Sequence, residues 1–116
     1  MLNRLMLKLL LLLSFLLPLP AFAAPFNAMV VFGDSLSDNG NLAVLPGYEF
    51  LNNPPYQHGS TNGLNSVEQL AKQLGLPLTP SLYLTGTIAG NNFAVAGARA
   101  GSIHSIDLTA QVLSLI

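Results

Sequence analysis

The spacing of hydrophobic positions changes several times along the chain, and each spacing predicts a different element. Leu9 to Leu17 (LLLLLSFLL) is a continuous apolar block. Ala28-Met-Val-Val-Phe32 is a shorter run bounded by Pro25 and Gly33. That length suits a strand buried on both faces, as in a parallel sheet. Residues 40–63 lose the pattern and fill with Gly, Pro and Asn, which predicts a long irregular loop. From Asn65 to Leu74 the apolar residues Val67, Leu70, Ala71 and Leu74 recur at i, i+3, i+4 and i+7, the stripe of an amphipathic helix. Asn65 or Ser66 is placed to cap it and Gly75 to stop it, and Pro77 and Pro80 prevent its resumption. Asn91 or Asn92 to Val95 reads as a second short buried strand, followed by the small-residue loop Gly97-Ala-Arg-Ala-Gly101. A last helix is expected to begin near Ser105 or Asp107 and to run on to Ile116 without a Gly, Asn or basic stop signal. Strand, helix, strand, helix implies an α/β fold with a parallel sheet.

The first apolar block belongs to a different category. Arg4 and Lys8 precede it with no acid, Pro18 and Pro20 break it, and Ala21-Phe22-Ala23 places small residues at the −3 and −1 positions of a cleavage site. This is the layout of a secretory signal peptide over residues 1–23, cut between Ala23 and Ala24. A spanning helix wants about 20 apolar residues, and the prolines stop this run short. The expected location is secreted, periplasmic or outer-membrane associated. Residues 24–116 are expected to be the N-terminal portion of a longer domain, because the last helix carries no stop.

Composition narrows the functional classes. The chain is 51% hydrophobic and 8% charged. Past residue 23 the cations are Lys72 and Arg99, against Asp34, Asp38, Glu49, Glu68 and Asp107. No basic patch exists to neutralise phosphates, so nucleic acid is not an expected partner. Zero cysteines exclude disulfides, thiolate metal sites and a cysteine nucleophile.

The informative segment is Val31-Phe-Gly-Asp-Ser-Leu-Ser-Asp-Asn-Gly40. A buried strand ends, Gly33 and Asp34 turn, and Ser35 stands where the chain re-enters structure, with a short helix expected before Gly40. In open α/β sheets ligands bind beyond the carboxyl ends of the strands. The first N–H groups of a helix there lack intrahelical partners and face the same space. Such N–H groups can stabilise the oxyanion of an ester's tetrahedral intermediate. Serine is also a preferred N-cap, so the same residues serve equally as a plain strand-to-helix turn.

Phe32-Gly-Asp-Ser-Leu-Ser-Asp-Asn-Gly40 resembles the first block of the GDSL, or SGNH, family of serine esterases and lipases. Tyr56-Gln-His-Gly-Ser-Thr-Asn-Gly63 with Val67-Glu68-Gln-Leu-Ala71 is similar to the family's Gly-x-x-Ser/Thr-Asn-Gly segment leading into a helix. Asn91-Asn-Phe-Ala-Val-Ala-Gly-Ala-Arg-Ala100 is similar to the strand and glycine loop of its second block. The three occur in the family's order and cover most of residues 29–101.

The resemblance implies a three-layer, flavodoxin-like fold with a parallel central sheet, of which only the N-terminal part is expected here. It implies that Ser35 is the nucleophile and that the Ser35 and Gly97 N–H groups are oxyanion donors. The family's Gly-x-Asn-Asp block and its base-bearing Asp-x-x-His do not occur in this sequence. Neither His58 nor His104 has an Asp three residues before it, and both read as exposed loop histidines. Asp34 reads as a turn former, Asp38 as a cap of the same turn, and Asn62, Asn91 and Asn92 as turn and strand-edge residues. The loop over residues 40–63 is expected to line the pocket. No cofactor or metal is implied, since nucleophile, base and backbone dipoles suffice. The expected activity is hydrolysis of carboxylic esters, of lipid or phospholipid, with peripheral membrane contact. A carbohydrate acetylesterase of the same family is the alternative, and a non-catalytic secreted fragment is a third reading. Oligomeric state is left open.

Overall fold

The structure is a computed structural model that describes residues 3–15 and 25–116. Helix α1 (Arg4–Phe15) takes in the basic end and the first part of the apolar block. No described helix is long and apolar enough to cross a membrane. Pro18, Pro20 and the Ala23–Ala24 junction lie outside the described residues.

The core is built on residues 91–95. Phe93, Ala94 and Val95 are almost completely buried, joined in the core by Val31, Ala43, Leu51 and Ala71. The Phe93 ring packs 5.7 Å from Phe32 and 5.9 Å from Tyr83, centroid to centroid. This segment is enclosed because backbone lies on both its edges. On one edge Val31 N–H donates to the Asn91 carbonyl and Phe93 N–H to the Val31 carbonyl. On the other, Asn92 N–H donates to the Thr79 carbonyl and Ser81 N–H to the Asn92 carbonyl. Both pairings are parallel, centred on Val31–Asn92 and Pro80–Asn92.

The expected parallel sheet is therefore present only as two isolated bridges among the described residues, not as extended strands. Side chains account for the interruption. Asn91 sends its backbone N–H to Thr79, and its side-chain amide donates to the Met29 carbonyl that a longer ladder would have used. At the other end Gly33 N–H donates to Gln111 Oε1 instead of to a strand carbonyl. The expectation that residues 28–32 are buried on both faces also fails. Val31 is buried, but Val30, whose side chain points to the opposite face, is 43% exposed, so only one face of this segment is covered.

Helix α2 (Ser66–Leu74) forms where the spacing predicts it, with Asn65 as the cap. Asn65 Oδ1 accepts from Glu68 N–H, and Glu68 returns the bond to Asn65 N–H, a reciprocal capping box. Gly75 closes the helix at φ 67°, in the left-handed region. Ala71 is its buried residue, whereas Leu70 and Leu74 stay exposed beside Phe26, Met29 and Leu76. Helix α3 (Leu108–Leu113) stops short of the expected run to Ile116. The Ser114 hydroxyl and N–H both donate to the Ala110 carbonyl there.

Candidate active site

Ser35 stands on a single hydrogen-bonded turn rather than at the start of the expected short helix. Ser37 N–H and Asp38 N–H both donate to the Asp34 carbonyl, at 3.1 and 3.0 Å. Asp34 Oδ1 accepts from Leu36 N–H, so Asp34 is the turn former expected of it. The helix does not propagate: beyond Asn39 the Asp38 carboxylate takes the N–H groups of Gly40, Asn41 and Leu42 that a continuing helix would have used.

That turn orients one amide. In a trans peptide the N–H points opposite to the C=O. The Asp34 carbonyl is drawn inward by two donors, so the Ser35 N–H of the same peptide unit faces outward. Neither the Ser35 N–H nor its hydroxyl is hydrogen-bonded to another described residue, and Ser35 is half-buried.

Gly97 lies at the same end of the paired segments. Val95 N–H donates to the Gly33 carbonyl at 3.1 Å, and Ser35 and Gly97 each follow that bond by two residues. Parallel segments leave their pairing in the same direction, so both residues emerge together. Gly97 has φ 89°, a conformation that strains any residue with a Cβ, and its N–H has no described partner. Beside them opens a cavity of about 140 Å³ lined by Gly33, Asp34, Ala98, Arg99, Ala100 and Leu108. No residue of the loop over 40–63 lines it, contrary to expectation. Much of that loop packs on itself: Asn52 Nδ2 donates to the Ala43 carbonyl, and Phe50 packs edge-on to Tyr56.

His58 and His104 are both exposed, as expected. His58 Nδ1 pairs with Asn52 Oδ1 at 2.9 Å, and the His104 backbone N–H donates to Asp107 Oδ2. Neither is hydrogen-bonded to Ser35. Among the described residues no group of His, Asp and Glu is placed to hold a metal ion.

The residues that sequence reasoning underrated are buried and polar. Asn92 is more than a strand-edge residue: fully buried, it donates through Nδ2 to the Ser37 carbonyl and to Asn39 Oδ1, and accepts from Ala94 N–H. Asn91, only partly buried, ties Met29, Pro77 and Thr79 together through its side chain. Asn41 Nδ2 donates to the Asn92 and Ala94 carbonyls while its Oδ1 accepts from Leu82 N–H. Asp107, expected only as a helix start, accepts from Arg99 N–H, the Ser102 hydroxyl and His104 N–H, which fixes the loop behind the cavity. The Ser102 hydrogen bond, helped by the two backbone N–H groups, holds the Asp107 carboxyl below the usual carboxylate range against the opposing effect of burial. The repeated Asn and Asp between small residues was the available signal, since buried polar groups are kept only when bonded.

Comparison with known proteins bears on the same stretch. The model of the GDSL-like lipase/acylhydrolase family matches residues 29–115. A GDSL esterase/lipase of Arabidopsis thaliana is 42% identical over 83 residues, which covers 61% of this chain and 21% of that protein. Esterase EstA of Pseudomonas aeruginosa is 36% identical over 112 residues, covering 83% of this chain and 17% of that protein. Esterase EstA of Pseudomonas putida shows the same figures. The chain thus spans about a fifth of the length of these relatives. No solved structure matches it. The matched residues hold the Ser35 turn, the capped helix α2 and the Gly97 loop in one continuous block: the chain belongs to the GDSL-like lipase/acylhydrolase family.

Proposed function

We propose that the whole protein hydrolyses carboxylic esters of lipids, phospholipids included, with Ser35 as nucleophile. The observation that carries this reading is the emergence of Ser35 and Gly97 from one end of the Val31–Asn92 pairing, each with an amide free of described partners. The Ser35 hydroxyl attacks the ester carbonyl, and the developing oxyanion takes the Ser35 and Gly97 N–H groups. Collapse expels the alcohol and leaves an acyl-serine, which water hydrolyses to free acid and serine.

Serine at its ordinary pKa needs a base beside it. Neither His58 nor His104 is hydrogen-bonded to Ser35, so no base is assigned to it among residues 25–116. Residues 1–23 act as the export signal, a reading supported by the basic end and by the helix Arg4–Phe15 that runs from it into the apolar block.

The test uses the protein at its full natural length. It hydrolyses p-nitrophenyl esters, and Ser35→Ala loses at least about 10³-fold in kcat. Retention of the rate by Ser35→Ala removes Ser35 from the chemistry. A preference for acetyl over long acyl chains overturns the lipid assignment.

A further inference from the structure

We propose that Asp38 is the positioning residue that sets the two oxyanion amides relative to each other; this rests on the reading of Ser35 and Gly97 given above. Asp38 is 2% exposed. Its backbone N–H donates to the carbonyl of Asp34, the peptide unit that carries the Ser35 N–H. Its carboxylate Oδ2 accepts at 2.9 Å from the N–H of Ala96, the residue before Gly97. One residue therefore holds the peptide before the nucleophile with its main chain and the residue before the second donor with its side chain. Fifty-eight positions separate the two ends of the side-chain bond, so nothing local in the chain duplicates it.

The rest of the residue is occupied in keeping it still. Oδ1 accepts from Gly40 N–H and Asn41 N–H at 2.9 and 2.8 Å, and Oδ2 also accepts from Leu42 N–H at 3.2 Å. The Asp38 carbonyl accepts from Asn65 Nδ2, the side chain that caps α2. Gly59 passes so near that a Cβ there would lie 2.6 Å from the Asp38 carbonyl oxygen. Asp38 is thus where the Ser35 turn, the segment ending at Gly63 and the Gly97 loop meet. Asp38 itself is buried, a setting in which hydrogen bonds are electrostatically stronger than in water. A donor pair works only when aimed at the place the oxyanion will occupy. Relaxing the bond to Ala96 lets the Gly97 amide drift from that aim while substrate still binds.

Asp38→Asn separates the two duties. It keeps an oxygen for Gly40 and Asn41 and turns an amide –NH₂ against the N–H groups of Ala96 and Leu42. Ala96→Pro deletes the same bond from the other side and leaves the carboxylate's remaining partners. In the full-length protein, assayed on a p-nitrophenyl ester below each variant's melting midpoint, both variants lose about 10- to 100-fold in kcat, with KM changed less than about threefold. Retention of kcat by both, with Ser35→Ala inactive, overturns the positioning role and leaves the nucleophile assignment standing. A lowered melting midpoint with kcat retained has the same meaning, because it makes Asp38 merely structural. Activity in Ser35→Ala overturns the underlying reading instead. Should Asp38→Asn fail to fold, the Ala96→Pro split decides.

Discussion

The buried side-chain amide of Gln111 grips both backbone groups of Gly33. Gly33 N–H donates to Gln111 Oε1 at 2.9 Å, and Gln111 Nε2 donates to the Gly33 carbonyl at 2.8 Å. A third bond runs from Nε2 to the Ile106 carbonyl. One glutamine thus ties helix α3 to the end of the segment that delivers Ser35, across 78 positions of sequence. It also stops the parallel pairing at Gly33, freeing the next residues to turn.

Gln111→Leu preserves bulk but strips all three bonds. The Gly33 carbonyl keeps Val95 N–H as a donor, whereas Gly33 N–H and the Ile106 carbonyl lose their partners. An unmet polar group costs about 1–3 kcal/mol when buried; these two are partly buried, so unfolding free energy is expected to fall by an amount in the lower part of the summed range, about 2–4 kcal/mol. Urea unfolding followed by circular dichroism measures it. An unchanged midpoint means the grip contributes nothing.

Acid should loosen the loop behind the cavity. The Asp107 carboxyl lies below its ordinary range in the folded chain, chiefly through the Ser102 hydroxyl. A group with a depressed folded pKa contributes stability above its unfolded value, about 3.9 for Asp. That contribution is lost as pH falls through the folded value. Melting midpoints should therefore decline on acidification below about pH 4, and Asp107→Asn should lie lower at neutral pH and decline less. Parallel acid limbs in the two proteins would remove Asp107 from the effect.

Alkali should act through Tyr83. Burial pushes its phenol up to about 12, with the negative charges of Asp107 and Asp38 adding to the shift. Its hydroxyl donates to the Ser105 carbonyl at 2.9 Å. A raised folded pKa means that this contribution is intact below the unfolded value, about 10 for Tyr, and is lost as pH rises through the folded value. In Tyr83→Phe the stability lost between about pH 10 and 12 should shrink. A tyrosinate absorbance titration should show a late step in the parent chain that is absent from the variant. Identical titration curves for the two proteins would contradict it.

Much of the local architecture is legible along the chain. Helix α2 and its capping box follow from the apolar spacing and from Asn65 and Glu68 standing three apart. The Gly33-Asp34-Ser35 turn follows from the residue types that favour turns. The α3 stop at Leu113 is not legible, because no glycine or basic residue marks it; Ser114 stands there, its hydroxyl bonded back to the Ala110 carbonyl within the last turn. The exposure of Leu70 and Leu74 was also illegible, since a stripe announces an apolar face without saying what covers it.

Neighbour-to-neighbour chemistry was enough to settle which residues turn, cap and alternate, because those preferences act over a few positions. The burial of Asp38, Asn41, Asn92 and Gln111 was decided by folding alone. Each satisfies backbone groups that lie 51 to 78 positions away, as in Asn41 to Asn92 and Gln111 to Gly33. No periodicity encodes such a partner. A buried amide or carboxylate is tolerable only where its hydrogen bonds converge, and that convergence exists only once distant segments are side by side.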